Sequence, residues 1–496
     1  MLNGIESVLA TEINSNVNMD SAPVRYLRKR IAHWNGVSTR KKNPNRPGNF
    51  YHSLLRYYYR FFIPEGLCIL ELGCGHGDLL ADLHPSLGVG VDFAKEMVSC
   101  ASEKHPELSF LVADAHDFQF NHQFDVVILS DLANDLWDLQ AVLQNVSQHC
   151  HSGTRLILNF YNNLWRLPLA AVRRLGLGAE LLEQNWFSPN DVVNLLQLAG
   201  FEVIKHQAFI LLPINIPLVS AFANRVFVHL VPFRWFAMTN FVIARPRPAT
   251  ICNTTKQLPS VSVIVPARNE AGNIDNIIRR IPEMGKGTEI VFVEGNSTDN
   301  TYEAIEQSLA MFPEKDCKVM RQTGRGKGDA VRLGFEKSSG DVLMILDADM
   351  TVPPEDLRRF LDAIIEGNGE FVNGVRLVYP LEDQSMRFFN ILGNKFFSLA
   401  FSWLLGQPIK DTLCGTKVLW RRDYTKIVDN RAYFGNFDPF GDFDLIFGAA
   451  KLNLKIVEMP VRYRARIYGD TNISRWRHGW LLLKMVGFAA KRIKFI

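Results

Sequence analysis

Between Gly340 and Leu357 the chain reads GDVLMILDADMTVPPEDL, in which Val342 to Leu346 is apolar at every position and stops at Asp347-Ala348-Asp349. A strand with no polar face must be covered on both sides, which is the condition of a parallel strand inside an open α/β sheet. Such sheets place ligands beyond the carboxyl ends of their strands, where this one carries two carboxylates. Alternate acids there, Asp347 and Asp349, can jointly hold one hard cation against a diphosphate, or else are two ordinary acids on a solvated loop.

At 496 residues the chain exceeds one ordinary domain, and a prior of about 150 residues per domain argues for two or three. Hydrophobic content of 47% against 21% charged residues is enough to build cores and excludes a disordered chain. The net charge of +4 is too small to argue for a nucleic-acid partner, but it is unevenly spread. Val461 to Ile496 holds nine Lys or Arg against one Asp, net +8, which leaves −4 for the remainder. Seven cysteines (68, 74, 100, 150, 252, 317 and 414) form no CxxC pair, which fits a reducing, cytosolic setting without structural zinc. No charged segment leads into the apolar core of a signal peptide. The most apolar stretches, 208–244 and 388–405, are broken by residues such as Pro213, Arg225, Arg234 and Lys395, short of the about 18 apolar residues a spanning helix needs.

Residues 1–60 are basic and aromatic, with RYLRKR and YHSLLRYYYR, and form either a helical cover over a pocket or a plain surface layer. Cys68 to Asp78, CILELGCGHGD, reads as a strand entering a GxGxG turn and a helix. Glycine there lets backbone approach a ligand where a side chain would clash. A second strand, Val89 to Val91, ends at Asp92, nineteen residues after Gly73, the distance at which an acid accepts hydrogen bonds from a ribose diol. A third, Phe110 to Ala113, ends at Asp114-Ala115; a fourth, Phe124 to Leu129, at Ser130-Asp131; a fifth runs from Thr154 to Asn159. Five βα units with acids at successive strand ends point to a cofactor site.

On these residues the stretch 50–245 resembles a Rossmann-like S-adenosylmethionine-dependent methyltransferase, through the ELGCGxG loop, the acid closing strand two and the Ala-Asp pair closing strand three. The resemblance implies that Gly73, Gly75 and Gly77 face the methionine part of the cofactor, Asp92 the ribose hydroxyls and Asp114 the adenine amine, with Glu71, Ala115 and Ser130 completing the site. Phe201 to Leu211 and Phe236 to Arg245 would be the last two strands, and the proline- and aromatic-rich insertion between them family-specific. Nicotinamide enzymes share the glycine loop but usually as GxGxxG. Methyl transfer needs little beyond alignment, with a base only when the acceptor must lose a proton. Ser130, Asp131, Asn134, Asp135, Asn159 and Tyr161 are candidates at the mouth, or else cap helices and satisfy turns. A half that binds the cofactor without catalysis is the alternative, and the acceptor stays unnamed.

The polar, proline-rich stretch 246–260 reads as a linker, dividing the chain into 1–245 and 261–496. Beyond it, Val261 to Val265 leads into Pro266-Ala267-Arg268-Asn269-Glu270, and Glu289 to Val293 into Glu294-Gly295-Asn296-Ser297-Thr298-Asp299. Ser297 or Asp299 reads as the cap of the next helix. Gly324-Arg325-Gly326-Lys327-Gly328 has the wrong spacing for a P-loop, yet its amides and lysine suit a phosphate.

VPARNE, EGNSTDNT, GRGKG and DAD in this order resemble family-two glycosyltransferases of the A-type, nucleotide-sugar-using fold, over roughly 259–480. The fold class implied is α/β with two doubly wound domains, the Rossmann-like methyltransferase followed by the A-type fold. The resemblance implies that Pro266, Arg268, Glu270 and Glu294 border the nucleoside of a UDP or GDP sugar, with Lys327, Asp347 and Asp349 at the diphosphate and its cation. The usual Asp-Asp after the second strand is Glu294-Gly295 here, which leaves the base open. Downstream, Val372 to Arg376, Met386-Arg387, Asp411 to Lys417 and Pro460 to Arg466 narrow the likeness to polyprenyl-phosphate (dolichyl-phosphate-like) sugar transferases. Arginines at such places, Arg376 and Arg387 among them, meet acceptor phosphate and donor diphosphate in that group, a task suited to the guanidinium fork. Two positions depart: the group's Gly-Phe-Arg is Gly415-Thr416-Lys417, and its Ser-Lys is Thr471-Asn472.

A phosphate acceptor needs no general base, whereas a hydroxyl does. Asp442 and Asp444 stand where the superfamily often keeps one, divided between catalysis and helix capping. The basic, tryptophan-bearing segment 474–496 suits a helix lying on an anionic membrane, or a core-packed final helix with a solvated edge. The combined expectation is a two-domain transferase, peripheral at the cytosolic membrane face, that modifies a polyprenyl-phosphate or glycolipid acceptor.

Overall fold

Seven strands form the first sheet: β1 (Cys68–Leu72), β2 (Leu87–Asp92), β3 (Ser109–Val112), β4 (Phe124–Leu129), β5 (Cys150–Tyr161), β6 (Phe201–Phe209) and β7 (Thr239–Pro246), in the order β3-β2-β1-β4-β5-β7-β6. This is a computed structural model; it describes residues 21–38, 47–174, 182–248, 258–376, 388–435, 441–464, 466, 468 and 475–496. Strands β1 to β5 are parallel, with Leu70 facing Val89 on one side and Val127 on the other, and β7 runs antiparallel to β5 and β6. The apolar runs become strands because both faces are covered: Ile69, Leu70, Leu72, Val127, Ile128 and Leu129 are fully buried. β5 extends back to Cys150, which pairs with Phe124 across a bulge. Chain direction around the sheet reverses between β1 and β4, and the crevice at such a switch point is where ligands bind.

The helix Pro47–Phe62 is a cover rather than a surface layer. Tyr51, Leu55, Tyr58, Tyr59 and Phe62 recur on one helical face and are buried. Tyr58 packs on Phe209 of β6 at 4.3 Å and Tyr59 on Phe241 of β7 at 5.3 Å between ring centroids.

The second sheet contains β8 (Val261–Ala267), β9 (Thr288–Glu294), β10 (Asp316–Arg321), β11 (Val342–Ile345), β12 (Phe371–Val375), β13 (Lys417–Trp420) and β14 (Ile456–Pro460), in the order β10-β9-β8-β11-β13-β12-β14. β13 alone is antiparallel, to both β11 and β12. Val263, Val265, Phe292, Met344, Leu346 and Phe360 are fully buried in one continuous core. The switch point here lies between β8 and β11, so the turn after Ala267 and the Asp347-Ala348-Asp349 turn open onto one crevice. Both sheets are the doubly wound α/β arrangements expected, and the chain divides into two compact units, Met1–Arg247 and Pro248–Ile496.

Among the described residues no helix is long and apolar enough to cross a membrane. The helix Arg475–Ala489 packs beside Phe388–Leu405. It buries Leu482, Met485 and Ala489 and leaves Trp480 and Leu483 exposed.

Candidate functional site

In the first unit the loop after β1 turns on Gly73, Gly75 and Gly77, all at positive φ (70°, 54° and 72°). A Cβ on Gly73 would strike Leu132 and one on Gly77 would strike Phe110, so these two are glycine for packing. Gly75 alone faces open space. Asp92, closing β2, accepts Gly75 N at 2.9 Å through Oδ2 and Ala94 N at 2.9 Å through Oδ1. It thereby fixes the loop, with one lone pair on each oxygen left for a ligand. Burial pushes its carboxyl up, against these two hydrogen bonds.

Glu71 is buried inside β1, and its Oε2 has no hydrogen-bond partner. Burial raises its carboxyl well above the usual range, with Asp92 and Asp78 adding to the shift. A buried acid left short of a partner, near the Asp92 that fixes the glycine loop, suits the ammonium end of an amino-acid cofactor. The implied cofactor therefore fits these residues. Asp114 Oδ1 accepts from His116 Nδ1 at 2.7 Å and His116 N at 3.0 Å. Burial raises its carboxyl, but the His116 contacts outweigh that and hold it low. Ala115 is buried beside it.

Beyond β4, Ser130 borders the Tyr59 phenol. Asp131 takes up φ 54° and accepts Tyr51 Oη at 2.8 Å and Asn159 Nδ2 at 2.5 Å. Tyr59 Oη donates to Asn159 Oδ1 at 2.7 Å. The cover helix is thus bonded to the ends of β4 and β5 at the crevice mouth. Asn134 is fully buried and accepts Tyr161 N, while Asp135 pairs with Arg30 at 2.9 Å. These two serve structure.

In the second unit the turn after β8 is zipped to the turn after β9. Gly295 N donates to Ala267 O at 2.8 Å, Asn269 N to Ser297 Oγ at 3.0 Å, and Thr298 N to Asn269 Oδ1 at 2.8 Å. Glu294 is buried and accepts Ser297 N, which ties it to its own turn. A Cβ on Gly295 would press on Arg268 at 3.2 Å. Neither Ser297 nor Asp299 is the cap expected; the cap position of Thr301–Met311 is Asn300, and Asp299 accepts the Thr301 amide at 3.1 Å. Pro266 is half-buried and Arg268 exposed at the rim.

At the end of β11 each aspartate already holds a cationic side chain. Lys327 Nζ lies 2.6 Å from Asp347 Oδ1, and Arg466 Nη2 lies 2.7 Å from Asp349 Oδ2. Thr351 closes the Asp349 turn through its amide and hydroxyl. Burial would raise the Asp347 carboxyl, but the charge of Lys327, with Lys417 and Arg376 beyond it, holds it below the usual range. Lys327 is lowered by burial and raised more by Asp347 and Asp442. Arg466 also reaches Glu270 at 3.6 Å. Burial lifts the Glu270 carboxyl to about 7 against Arg466 and the Asn273 hydrogen bond.

Asp442 stands at the cap position of the helix Phe443–Lys451 yet makes no cap hydrogen bond. Its buried Oδ1 has no hydrogen-bond partner and lies 3.4 Å from Lys417 Nζ and 3.9 Å from Lys327 Nζ. Asp444, one turn in, is held by Arg431 at 2.9 Å, away from this cluster. Arg376 is buried in a two-pronged pair with Asp411, at 2.7 and 2.8 Å, and Asp411 also accepts the Leu413 and Cys414 amides. Arg376, expected at a phosphate, is held by Asp411 and through it fixes the 411–417 loop. Arg387 lies outside the described residues, as do Met386, Thr471 and Asn472.

The loop that Arg376 fixes brings in two residues not foreseen as site members. Lys417 is fully buried and donates to Cys414 O. Gly415 leaves no room for a side chain, since a Cβ there would land on Asp347 Oδ2 and Lys327 Nζ. Gly328 and Gly441 also meet backbone to backbone, so the GRGKG turn and the turn before Asp442 are in contact. The departure from Gly-Phe-Arg at 415–417 was the available signal for Lys417. Among the described residues no three His, Cys, Asp or Glu converge as a metal cage. Two carboxylates suit a cation that takes its remaining oxygens from substrate phosphates and water.

A family model described as glycosyl transferase family 2 matches residues 262–428, and one described as methyltransferase domain matches residues 69–153. The chain is 30% identical over 247 residues to a dolichol-phosphate mannosyltransferase of Pyrococcus furiosus, covering 47% of this chain and 67% of that protein. It is 29% identical over 231 residues to a polyprenol monophosphomannose synthase of Mycolicibacterium smegmatis, covering 46% of this chain and 84% of that protein. A solved S-adenosylmethionine dependent methyltransferase from Mesorhizobium loti is similar at 19% identity and a TM-score of 0.32, covering 38% of this chain and 96% of that one.

Proposed function

The chain belongs to the family-two glycosyltransferases through its second half and carries a methyltransferase domain in its first, and from that premise we propose that it is a bifunctional transferase. The second half moves a sugar from a UDP or GDP sugar to a polyprenyl-phosphate or glycolipid acceptor, with inversion and with Mg²⁺ or Mn²⁺. The first half transfers a methyl group from S-adenosylmethionine within the same route, and the protein works peripherally at a membrane face. One observation carries the reading: Asp347 and Asp349, just beyond β11, are paired with Lys327 and Arg466, and Lys327 and Lys417 both reach Asp442.

Cleavage of the sugar–diphosphate bond builds negative charge on the departing phosphate, and fixed cations in a site closed to water stabilise such charge most. Lys327 and Arg466, which hold the two aspartates, are placed to meet a diphosphate that a cation brings to them. A divalent cation held by Asp347 and Asp349 would add charge neutralisation at the same oxygens. Pro266, Arg268, Glu270 and Glu294 would border the nucleoside. In the first half, Glu71, Gly73, Gly75, Gly77 and Asp92 would hold the cofactor, with Asp114 at its adenine and Ala115 and Ser130 completing the site.

The test offers the purified full chain a panel of UDP and GDP sugars with polyprenyl phosphate, with and without Mn²⁺ or Mg²⁺. A metal-dependent glycolipid is expected, lost in Asp349→Ala; no product from any donor overturns the reading. Asp442 favours a second reading, in which the acceptor is a hydroxyl and the first half only binds its cofactor. Its Oδ1 does no capping work and accepts no hydrogen bond, though Lys417 and Lys327 lie 3.4 and 3.9 Å away, and could take a proton from a hydroxyl acceptor. Asp442→Asn then abolishes turnover, whereas a phosphate acceptor tolerates it.

A further inference from the structure

The segment 210–238 joins β6 to β7. Two of its polar side chains are buried and tie it together: Ser220 donates to Ile214 O at 2.6 Å and accepts Ile216 N at 2.8 Å, while Asn224 accepts Leu211 N and Leu212 N and donates to Leu212 O, all at 2.8 Å. Ile210, Val228 and Met238 are buried with them, but many of its large apolar side chains point outward. Leu218 is 86% exposed, and Val219, Phe222, Val231, Trp235 and Phe236 are each more than half exposed. Leu218 holds φ 62°, a conformation that costs a leucine, at the tip of this surface. Phe222, Phe227 and Phe233 stack outside the fold at 4.9 and 5.0 Å between centroids. On the next element Leu167 is 78% exposed, and Trp165 Nε1 donates to Phe236 O at 2.8 Å, so the surface continues across two chain segments. Contiguous apolar surface of this kind marks an interaction face.

The charge on this face has one sign. No Asp or Glu occurs between Glu202 and Glu270, and Arg225 and Arg234 stand exposed among the apolar residues. A rigid, acid-free surface of Phe, Trp and Leu with interspersed arginine suits the interface of an anionic bilayer, where the rings enter the headgroup boundary and guanidinium meets lipid phosphate. A soluble protein partner would be expected to meet charge of both signs at the rim.

We propose that segment 210–238 is a membrane-docking face of the first unit that seats this unit on an anionic lipid surface. The face lies beside the crevice mouth. Asn162, directly after β5, donates to Trp235 O at 2.8 Å and Ala237 O at 3.0 Å, Tyr58 of the cover helix reaches Asn224 O at 3.4 Å, and Thr239 lies 3.3 Å from the Tyr51 hydroxyl. The methyl acceptor is then a lipid-borne molecule; this last step rests on the methyltransferase reading, whereas the docking face does not.

The experiment is co-sedimentation of the full chain with phosphatidylcholine vesicles, with and without phosphatidylglycerol. Wild type is expected to partition onto the phosphatidylglycerol vesicles, less so as salt rises. The double variant Leu218→Asp with Trp235→Asp is expected to lose at least about tenfold in partitioning. Trp480→Asp with Leu483→Asp, on the exposed side of the last helix, is expected to keep most of it. Equal binding by the first variant and wild type, or no binding by wild type, overturns the proposal. So does light scattering that finds a wild-type dimer dissociated by the first variant, which would give the face to a second copy. Vesicle binding needs no turnover, so it and the transferase reading fail separately.

Discussion

Gly415 shows how much of the donor site depends on a side chain that is not there. Gly415→Ala would push a methyl group into the space of Asp347 Oδ2 and Lys327 Nζ, and overpacking of this kind costs about 1–3 kcal/mol when it must be absorbed by packed neighbours. Since the neighbours are the reacting cluster, activity is expected to fall by about 100-fold while the melting temperature drops only a few degrees. Steady-state kinetics and calorimetry on the same sample check both. Glu270 supplies a pH dependence. Its folded-state value of about 7 lies above its usual 4.5, so the folded chain keeps a proton that the unfolded chain has lost. The stabilisation is full below about pH 4.5 and is lost as pH rises through about 7. Glu270→Gln stays neutral and is expected to flatten the fall in melting temperature from about pH 5 to about pH 8, by roughly 2–4 °C per kcal/mol recovered. An unchanged slope would show that Arg466 already holds Glu270 ionised.

Among elements, the cover helix Pro47–Phe62 makes the clearest prediction. It buries five large side chains, each contributing roughly 1.5–3 kcal/mol, a sum comparable with the about 5–15 kcal/mol that holds a whole domain. A chain starting at residue 64 should therefore lose the cooperative calorimetric transition of its first unit rather than yield a trimmed methyltransferase. The central strands were legible before any coordinates because an apolar run bounded by turns has one stable use, and their terminal acids marked the crevices. The helix carried a period too, at Tyr51, Leu55, Tyr58, Tyr59 and Phe62, but its basic and aromatic composition fits a surface as well as a cover. Partners distant in sequence were not legible. Nothing around Arg376 shows that Asp411 will occupy it, and nothing around Asp349 shows that Arg466 will. Hydropathy also misleads at 210–238, where Leu218, Phe222, Trp235 and Phe236 face outward while Ser220 and Asn224 are buried.

For the whole molecule, each of the two sheets has its own core. Residues 1–247 and 248–496 expressed apart are expected each to show one cooperative unfolding transition. S-adenosylmethionine uptake should stay with the first piece and sugar-nucleotide uptake with the second, as titration calorimetry would record. A second piece that aggregates alone would mean that the units share more than a chain.

Lys327 on Asp347 and Arg466 on Asp349 mean that the donor crevice waits with its own counter-ions in place. A lone ion from solution has to compete with two tethered charges, and a lone nucleotide meets a lysine and an arginine already engaged. On the proposed reading, arrival of both together lets every partner be exchanged at once, so cation and nucleotide are expected to bind better together than either does alone.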